Sequence, residues 1–188
     1  MKRLLGAVIA GGRARRFGSD KALAPLDGAP LIVHAVNGLA AQAHEVVVCG
    51  RDWDGLRALA DRPGPGLGPL GGLCAALALA RAEGFDAVLS APCDAPIVPT
   101  LPLGGGEPVY VQGCPVMAVW PARLAGALHA HLADGGDRSV RAWARAIGAR
   151  PVLPGLAIPN VNTPADLAAL NRREAGALPF QQQERPDR

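Results

Sequence analysis

Residues 4–21 read LLGAVIAGGRARRFGSDK. A short apolar run, residues 4–10, passes without interruption into Gly11-Gly12, then into Arg13, Arg15 and Arg16, and ends on Asp20-Lys21. The apolar run predicts a fully buried strand. Glycines directly after it allow a backbone to approach a phosphate, because no Cβ intervenes. Consecutive backbone N–H groups in such a turn make a concavity for anions. The arginines and lysine add positive charge where a polyphosphate would lie. A nucleoside triphosphate site is therefore expected here. The P-loop signature is absent, since no Gly-Lys-Ser/Thr closes the segment. The dinucleotide fingerprint is absent too, because its third glycine is missing at the required spacing.

Outward from this segment, strand and helix patterns alternate. Residues 30–41 predict a helix with Pro30 in its first turn. Residues 45–49 (EVVVC) predict a second buried strand, and residues 52–60 a short helix capped by Asp52. A Pro/Gly loop follows at 62–69, then an Ala/Leu helix at 70–81. Residues 86–90 (DAVLS) predict a third strand that runs into Ala91-Pro92-Cys93-Asp94. Continuous apolar strands alternating with helices indicate a mostly parallel sheet covered on both faces. The expected fold is α/β, three layers, doubly wound, in a single domain. Ligands of such sheets bind beyond the carboxyl ends of the strands, so the glycine turn and Asp94 can share one site.

The second half is less regular. Residues 109–111 and 115–120 predict strands, and residues 122–133 and 138–147 predict helices. A short strand is expected at 151–153 and a helix at 164–170. The domain is read as residues 1–173, with 174–188 a polar tail expected to be disordered.

Three further motifs carry chemistry. Pro92-Cys93-Asp94-Ala95-Pro96 places a carboxylate after a buried strand, either as a ligand for Mg²⁺ or as a cap in a proline-rich turn. Gly68-Pro69-Leu70-Gly71-Gly72-Leu73 opens a helix on glycines, which admits either an anion or tight packing. Asp61 precedes it, as a solvated side chain or as an acceptor for paired N–H donors of a guanine edge. In Asn160-Val161-Asn162-Thr163-Pro164-Ala165-Asp166, Thr163 and Asp166 form a capping-box-like pair, and the two asparagines are left to bond a ligand. His129 and His131 point to different helix faces and make a poor metal pair. Cys93 has no partner histidine that would make it a nucleophile, and Trp53, Trp120 and Trp143 are expected to pack.

The composition sets limits. The 188 residues are 49% hydrophobic but only 4% aromatic, so the core must be built from Ala, Val, Leu and Ile. A net charge of +3 is too small, and too local, for a nucleic-acid binder. Four dispersed cysteines show no metal spacing and are expected to be reduced thiols in the cytoplasm. The opening MKR plus apolar run mimics a signal peptide, but arginines follow at once and a buried first strand fits better. No stretch approaches the ~20 apolar residues of a membrane span.

Together and in this order, the motifs resemble the molybdenum cofactor guanylyltransferase family, part of a larger set of nucleotidyltransferases with a Rossmann-like fold. The resemblance runs from residue 4 to about residue 170. It implies transfer of GMP from GTP to the terminal phosphate of molybdopterin, with Mg²⁺ as cofactor and pyrophosphate released. It implies GTP contacts at Ile9, Ala10, Gly11 and Gly12, phosphate binding by Lys21 and Arg16, and a GTP-binding role for Asp61. Asp94 would bind GTP and Mg²⁺, so Lys21, Asp94 and Arg16 form the implied catalytic set. Asn160 and Asn162 match a pair near the pterin. Transient contacts with cofactor-biosynthesis proteins and molybdoenzyme chaperones are also implied. The family's further nucleotide contact after the second strand falls at Gly50 or Arg51. Its helical segment after the Pro-Cys-Asp motif is shortened here to a Gly/Pro stretch, residues 100–107. The alternatives are a cytidylyltransferase on the same pterin, another small-phosphate nucleotidyltransferase, and a non-catalytic nucleotide sensor on the same scaffold.

Overall fold

A computed structural model describes residues 2–11, 20–53, 55–102, 106–155, 158–159 and 163–176. The first strand, β1 (Leu4–Ile9), is buried along its whole length, as its uninterrupted apolar run requires. Its side chains alternate between two cores. Leu5, Ala7 and Ile9 pack on one face, and Leu4 and Val8 on the other. Gly6 lies at a close approach: a Cβ there would stand 3.2 Å from the Cβ of Leu39.

After a 3-10 turn at Lys21–Leu23, β2 (Pro25–Leu26) and β3 (Ala29–Pro30) form a small hairpin. Helix α1 (Leu31–Ala40) carries the chain to β4 (Glu45–Cys49), parallel to β1. Next comes β5 (Arg57–Leu59), parallel to β4 at the sheet edge. Helix α2 (Pro69–Ala82) then crosses back to β6 (Ala87–Pro92), which pairs with the other side of β1. The remaining strands are β7 (Val109–Val111), β8 (Cys114–Pro121) and β9 (Arg150–Val152). The helices between and after them are α3 (Ala125–Ala133), α4 (Val140–Ala146) and α5 (Pro164–Gly176).

The seven-stranded sheet has the order β5-β4-β1-β6-β8-β7-β9. It is parallel except for β8, which runs antiparallel to both β6 and β7. One core holds α2, α3 and α4 residues such as Leu70, Leu77, Leu128 and Trp143 against the sheet. The opposite core holds Ile32, Ala35 and Leu39 of α1 together with Val98 and Leu101. The expected three-layer, mostly parallel architecture is therefore the observed one. The order of strand addition reverses at β1, with β4 on one side of it and β6 on the other, both parallel to it, so the crevice between β1 and β6 is the switch point where such sheets hold ligands.

Several expectations need correction. The helix expected at 52–60 does not form; residues 57–59 are β5. The cause is tertiary: β4 would otherwise expose an unpaired backbone edge, and a strand satisfies it, whereas so short a helix gains little by itself. Gly55, at φ +71°, also turns the chain into the strand. The 122–133 helix begins as a 3-10 turn at Ala122–Leu124 before α3. Helix α5 continues beyond residue 170, where Asn171 is held by the hairpin: its Oδ1 accepts from Asp27 N–H at 3.0 Å and its amide donates to the Pro25 carbonyl. The 3-10 turn and the hairpin were not legible from periodicity, because both are too short to show one.

Other local expectations hold. Thr163 and Asp166 form the reciprocal capping box, Thr163 N–H to Asp166 Oδ2 at 2.9 Å and Asp166 N–H to Thr163 Oγ1 at 3.1 Å. Trp120 is fully buried and donates its indole N–H to Ser90 Oγ at 2.9 Å. All four cysteines are free thiols. Among the described residues, no helix is long and apolar enough to cross a membrane.

Candidate active site

The site is assembled along the carboxyl ends of the strands. Ile9 ends β1, and Ala10 N–H donates to the Cys49 carbonyl at 2.9 Å, so the first turn starts flush against the end of β4. Gly50 makes that contact possible. Its φ is +87°, and a Cβ on it would stand 2.5 Å from Gly11 Cα, so only glycine fits both the turn and the approach.

Asp94 follows β6. Cys93 N–H donates to the Ile9 carbonyl at 3.1 Å, which fixes the Pro-Cys-Asp turn beside the end of β1. Lys21 enters from the 3-10 turn, which Asp20 caps by accepting from Ala22 N–H at 3.1 Å. Lys21 Nζ lies 2.6 Å from Asp94 Oδ2. Residues separated by most of the first half of the chain therefore meet, and each is the other's counter-ion. Next to them a cavity of about 450 Å³ opens toward β7, β8 and β9. Its walls include Lys21, Asp94, Gln112, Cys114, Met117 and Ile158. A smaller groove of about 230 Å³ lies at the opposite, amino ends of β1 and β6, beside Leu4 and Ala87.

Asp61 lies on the other flank of the first turn. A Cβ on Gly11 would be 3.7 Å from its Oδ1, and a Cβ on Gly71 would be 2.9 Å from its Oδ2. Gly71 thus makes room for this carboxylate, while Gly72 makes room for Cys49, whose Cβ would stand 2.8 Å from a Cβ there. Among the described residues, Asp61 Oδ1 is buried without a hydrogen-bond partner. Burial pushes its carboxyl above the usual carboxylate range. An orphaned buried acceptor is rare in a folded protein and calls for a partner.

The thiols are chemically quiet. Burial, reinforced by Asp94, pushes Cys93 up to about 12, and burial followed by Asp61 does the same to Cys49. Neither supplies a thiolate near neutral pH. His131 packs against Trp143 at a tilt of 46° with centroids 5.2 Å apart, and a ring nitrogen lies 2.8 Å from the Asp137 carbonyl. Among the described residues, no group of three His, Cys, Asp or Glu side chains could hold a metal.

The structure thus gathers Ile9, Ala10, Gly11, Lys21, Asp61 and Asp94 at one rim of the sheet. Gly12, Arg16, Asn160 and Asn162 lie outside the described residues. Sequence reasoning did not single out Gln112 or Met117. Both sit where β7 and β8 meet, and only the antiparallel turn at Gln112-Gly113 brings them to the rim. The resemblance offers Arg51 as one of two positions for a nucleotide contact; the structure gives it an ion pair with Asp20.

A cationic and acidic rim at the switch point of a doubly wound sheet is the arrangement of a nucleotidyltransferase. Comparison with known proteins narrows the class. Residues 6–102 match the family model described as a MobA-like NTP transferase domain. The chain is 35% identical to a molybdenum cofactor guanylyltransferase of Rhodobacter capsulatus, over 91% of this chain and 96% of that one. It is also 35% identical to a protein of the same name from Cereibacter sphaeroides, over 92% of this chain and all of the other. The crystal structure of molybdopterin-guanine dinucleotide biosynthesis protein A from Archaeoglobus fulgidus has the same fold, with a TM-score of 0.70 at 20% identity over 92% of this chain and 99% of that one. The chain belongs to the molybdenum cofactor guanylyltransferase family of MobA-like NTP transferases.

Proposed function

We propose that the protein transfers the guanylyl group of GTP to the terminal phosphate of molybdopterin. The observation that carries this reading is the meeting of Lys21 and Asp94 at 2.6 Å on the rim of the sheet, beside a cavity. The order along the rim suits the reaction. Asp61, after β5, offers an acceptor to the N–H edge of guanine. Gly11 and Lys21 face the phosphates. The cavity beyond Asp94 has the size of a small-molecule site, and the acceptor would lie there. Asn160 and Asn162 come soon after Pro159 in the sequence, and they would bond the acceptor.

In the reaction, an oxygen of the acceptor phosphate bonds to the α-phosphorus of GTP as the bond from that phosphorus to the β-phosphate oxygen breaks. Pyrophosphate leaves. The nucleophile is already ionised, so no general base is required, in keeping with the protonated thiols. What the chain supplies is positioning and charge complementarity. Lys21, with Arg16, stabilises the leaving pyrophosphate.

Asp94 is the residue that would hold Mg²⁺. A single partly exposed carboxylate on a cavity wall fits that ion, which binds through one or two carboxylates and takes its other ligands from phosphate and water. When bound, it neutralises charge that builds on the phosphoryl oxygens. The free thiols fit a reducing, cytoplasmic setting.

Incubation with Mg-GTP and molybdopterin, alongside CTP and UTP, tests the reading. The expected result is a product with the mass of the guanine dinucleotide, with little formed from the other nucleotides. Preference for CTP would replace the guanylyl reading with a cytidylyl one.

A further inference from the structure

We infer that Arg51 is a positioning residue for Lys21 and acts through Asp20. The turn that leaves β4 touches both ends of the glycine/arginine segment. At the near end, Gly50 packs on Gly11 and Cys49 accepts from Ala10. At the far end, Arg51 holds Asp20 with two nitrogens: Nη1 donates to Oδ1 at 3.2 Å, and Nη2 donates to Oδ2. Asp20 Oδ1 also accepts from Ala22 N–H, which caps the turn that starts at Lys21. Lys21 Nζ then reaches Asp94. The chain of contacts runs from the end of β4, through one carboxylate, to the lysine at the end of β6.

A lysine stem has four rotatable carbons, so its own geometry does not fix where the ammonium points. Its direction depends on where its backbone begins. A forked guanidinium–carboxylate pair fixes orientation as well as distance. Asp20 shares one oxygen between Arg51 and the cap, so rotating it away would break both. The pair is partly open to solvent, 26% exposed at Arg51 and 42% at Asp20, and such pairs contribute little to overall stability. Its consequence is therefore local geometry at Lys21. This role is distinct from direct contact between Arg51 and the nucleotide.

The two roles give opposite signs for one substitution. Asp20 is an anion next to the proposed triphosphate position, so on charge alone Asp20→Asn tightens nucleotide binding. If Asp20 transmits the position of Arg51, the same change weakens it.

The inference rests on the reading of the site as a triphosphate site with GTP as donor. The test is calorimetric titration of Mg-GTP and Mg-CTP into the wild type, Asp20→Asn, Arg51→Met, Arg51→Lys and the Asp20→Asn/Arg51→Met double variant, with melting curves for each. Each of Asp20→Asn and Arg51→Met is expected to weaken GTP binding on the order of tenfold, and the double variant no more than the worse single, as for residues in one network. Arg51→Lys keeps the charge but not the fork and should fall between wild type and Arg51→Met. Tighter or unchanged binding by Asp20→Asn, additive losses in the double variant, or wild-type binding by Arg51→Lys would each overturn the inference. Should Asp20→Asn fail to fold, wild-type binding by Arg51→Lys still overturns the inference. A wild type that takes CTP and not GTP overturns the guanine reading instead, with the same series then read on CTP; binding of neither overturns both.

Discussion

Asp61→Asn separates function from stability at a single atom. The wild-type carboxylate has one oxygen buried and unpartnered among the described residues. A buried unsatisfied polar group costs about 1–3 kcal/mol. The residue is half-buried rather than fully enclosed, so the low end, about 1 kcal/mol, is the appropriate figure. A neutral amide of the same shape leaves a polar atom unpaired there but carries no charge, so it removes only the excess cost of burying a charge over a neutral polar group, on the order of 1 kcal/mol at a half-buried site. For a chain of this size, about 1 kcal/mol corresponds to a melting temperature roughly 2–4 °C higher. The function should move the other way. Hydrogen bonds to a charged group contribute about 1.5–3 kcal/mol, so the KM for GTP should rise by roughly 10- to 150-fold.

The pH dependence of that stability difference carries a definite sign. Burial raises the folded pKa of Asp61 above its unfolded value, so the folded state binds its proton more readily. The penalty is fully present above the folded pKa and vanishes as pH falls below the unfolded value of about 3.9. The Asn variant should therefore be the more stable protein at pH 7 and lose that advantage in acid. Scanning calorimetry at both pH values, with steady-state kinetics on GTP at neutral pH, makes the comparison. A variant that melts lower than the wild type at pH 7 while keeping its KM would show that Asp61 supports the fold and does not meet the base.

Three further outcomes are expected. Asp94→Ala should abolish turnover with a melting temperature within a few degrees of wild type, since a partly exposed ion pair is worth about 0–1 kcal/mol; wild-type rates in Mg²⁺ would remove Asp94 from the reaction. Lys21→Ala should lower the rate on the order of 10²–10³, the usual cost of losing one preorganised electrostatic contact; an unchanged rate in the same assay would exclude Lys21. Cys93→Ala should leave the rate unchanged, and iodoacetamide at neutral pH should not inactivate the wild type, because the thiol is held at about 12; rapid inactivation that the variant escapes would contradict this.

The long, strongly patterned elements were legible from the residues. β1, β4 and β6 stood out as apolar runs, and α1 and α2 as helices of ordinary length. The glycine turn, Lys21 and Asp94 were legible because their residue types have a chemical reason to follow a strand. The 57–59 strand was not, because its extended state is imposed by the open edge of β4 and not by its own side chains. The cap at Asp20 and the hairpin after it escaped notice because a few residues show no period. The cavity beside Asp94 was equally hidden, since Gln112, Cys114, Met117 and Ile158 become neighbours only when β8 runs antiparallel between β6 and β7.

By itself, then, the sequence determined the class of sheet, the parallel core strands and the identity of the charged groups that follow them, because burial period and side-chain chemistry are local properties. Only the tertiary structure decided which groups face one another. The strand order β5-β4-β1-β6-β8-β7-β9 sets Asp61, Gly11, Lys21 with Asp94, and the cavity side by side along one rim, and it turns Arg51 toward Asp20. Those neighbours are created by crossovers between distant segments, and no pattern within any one segment encodes them.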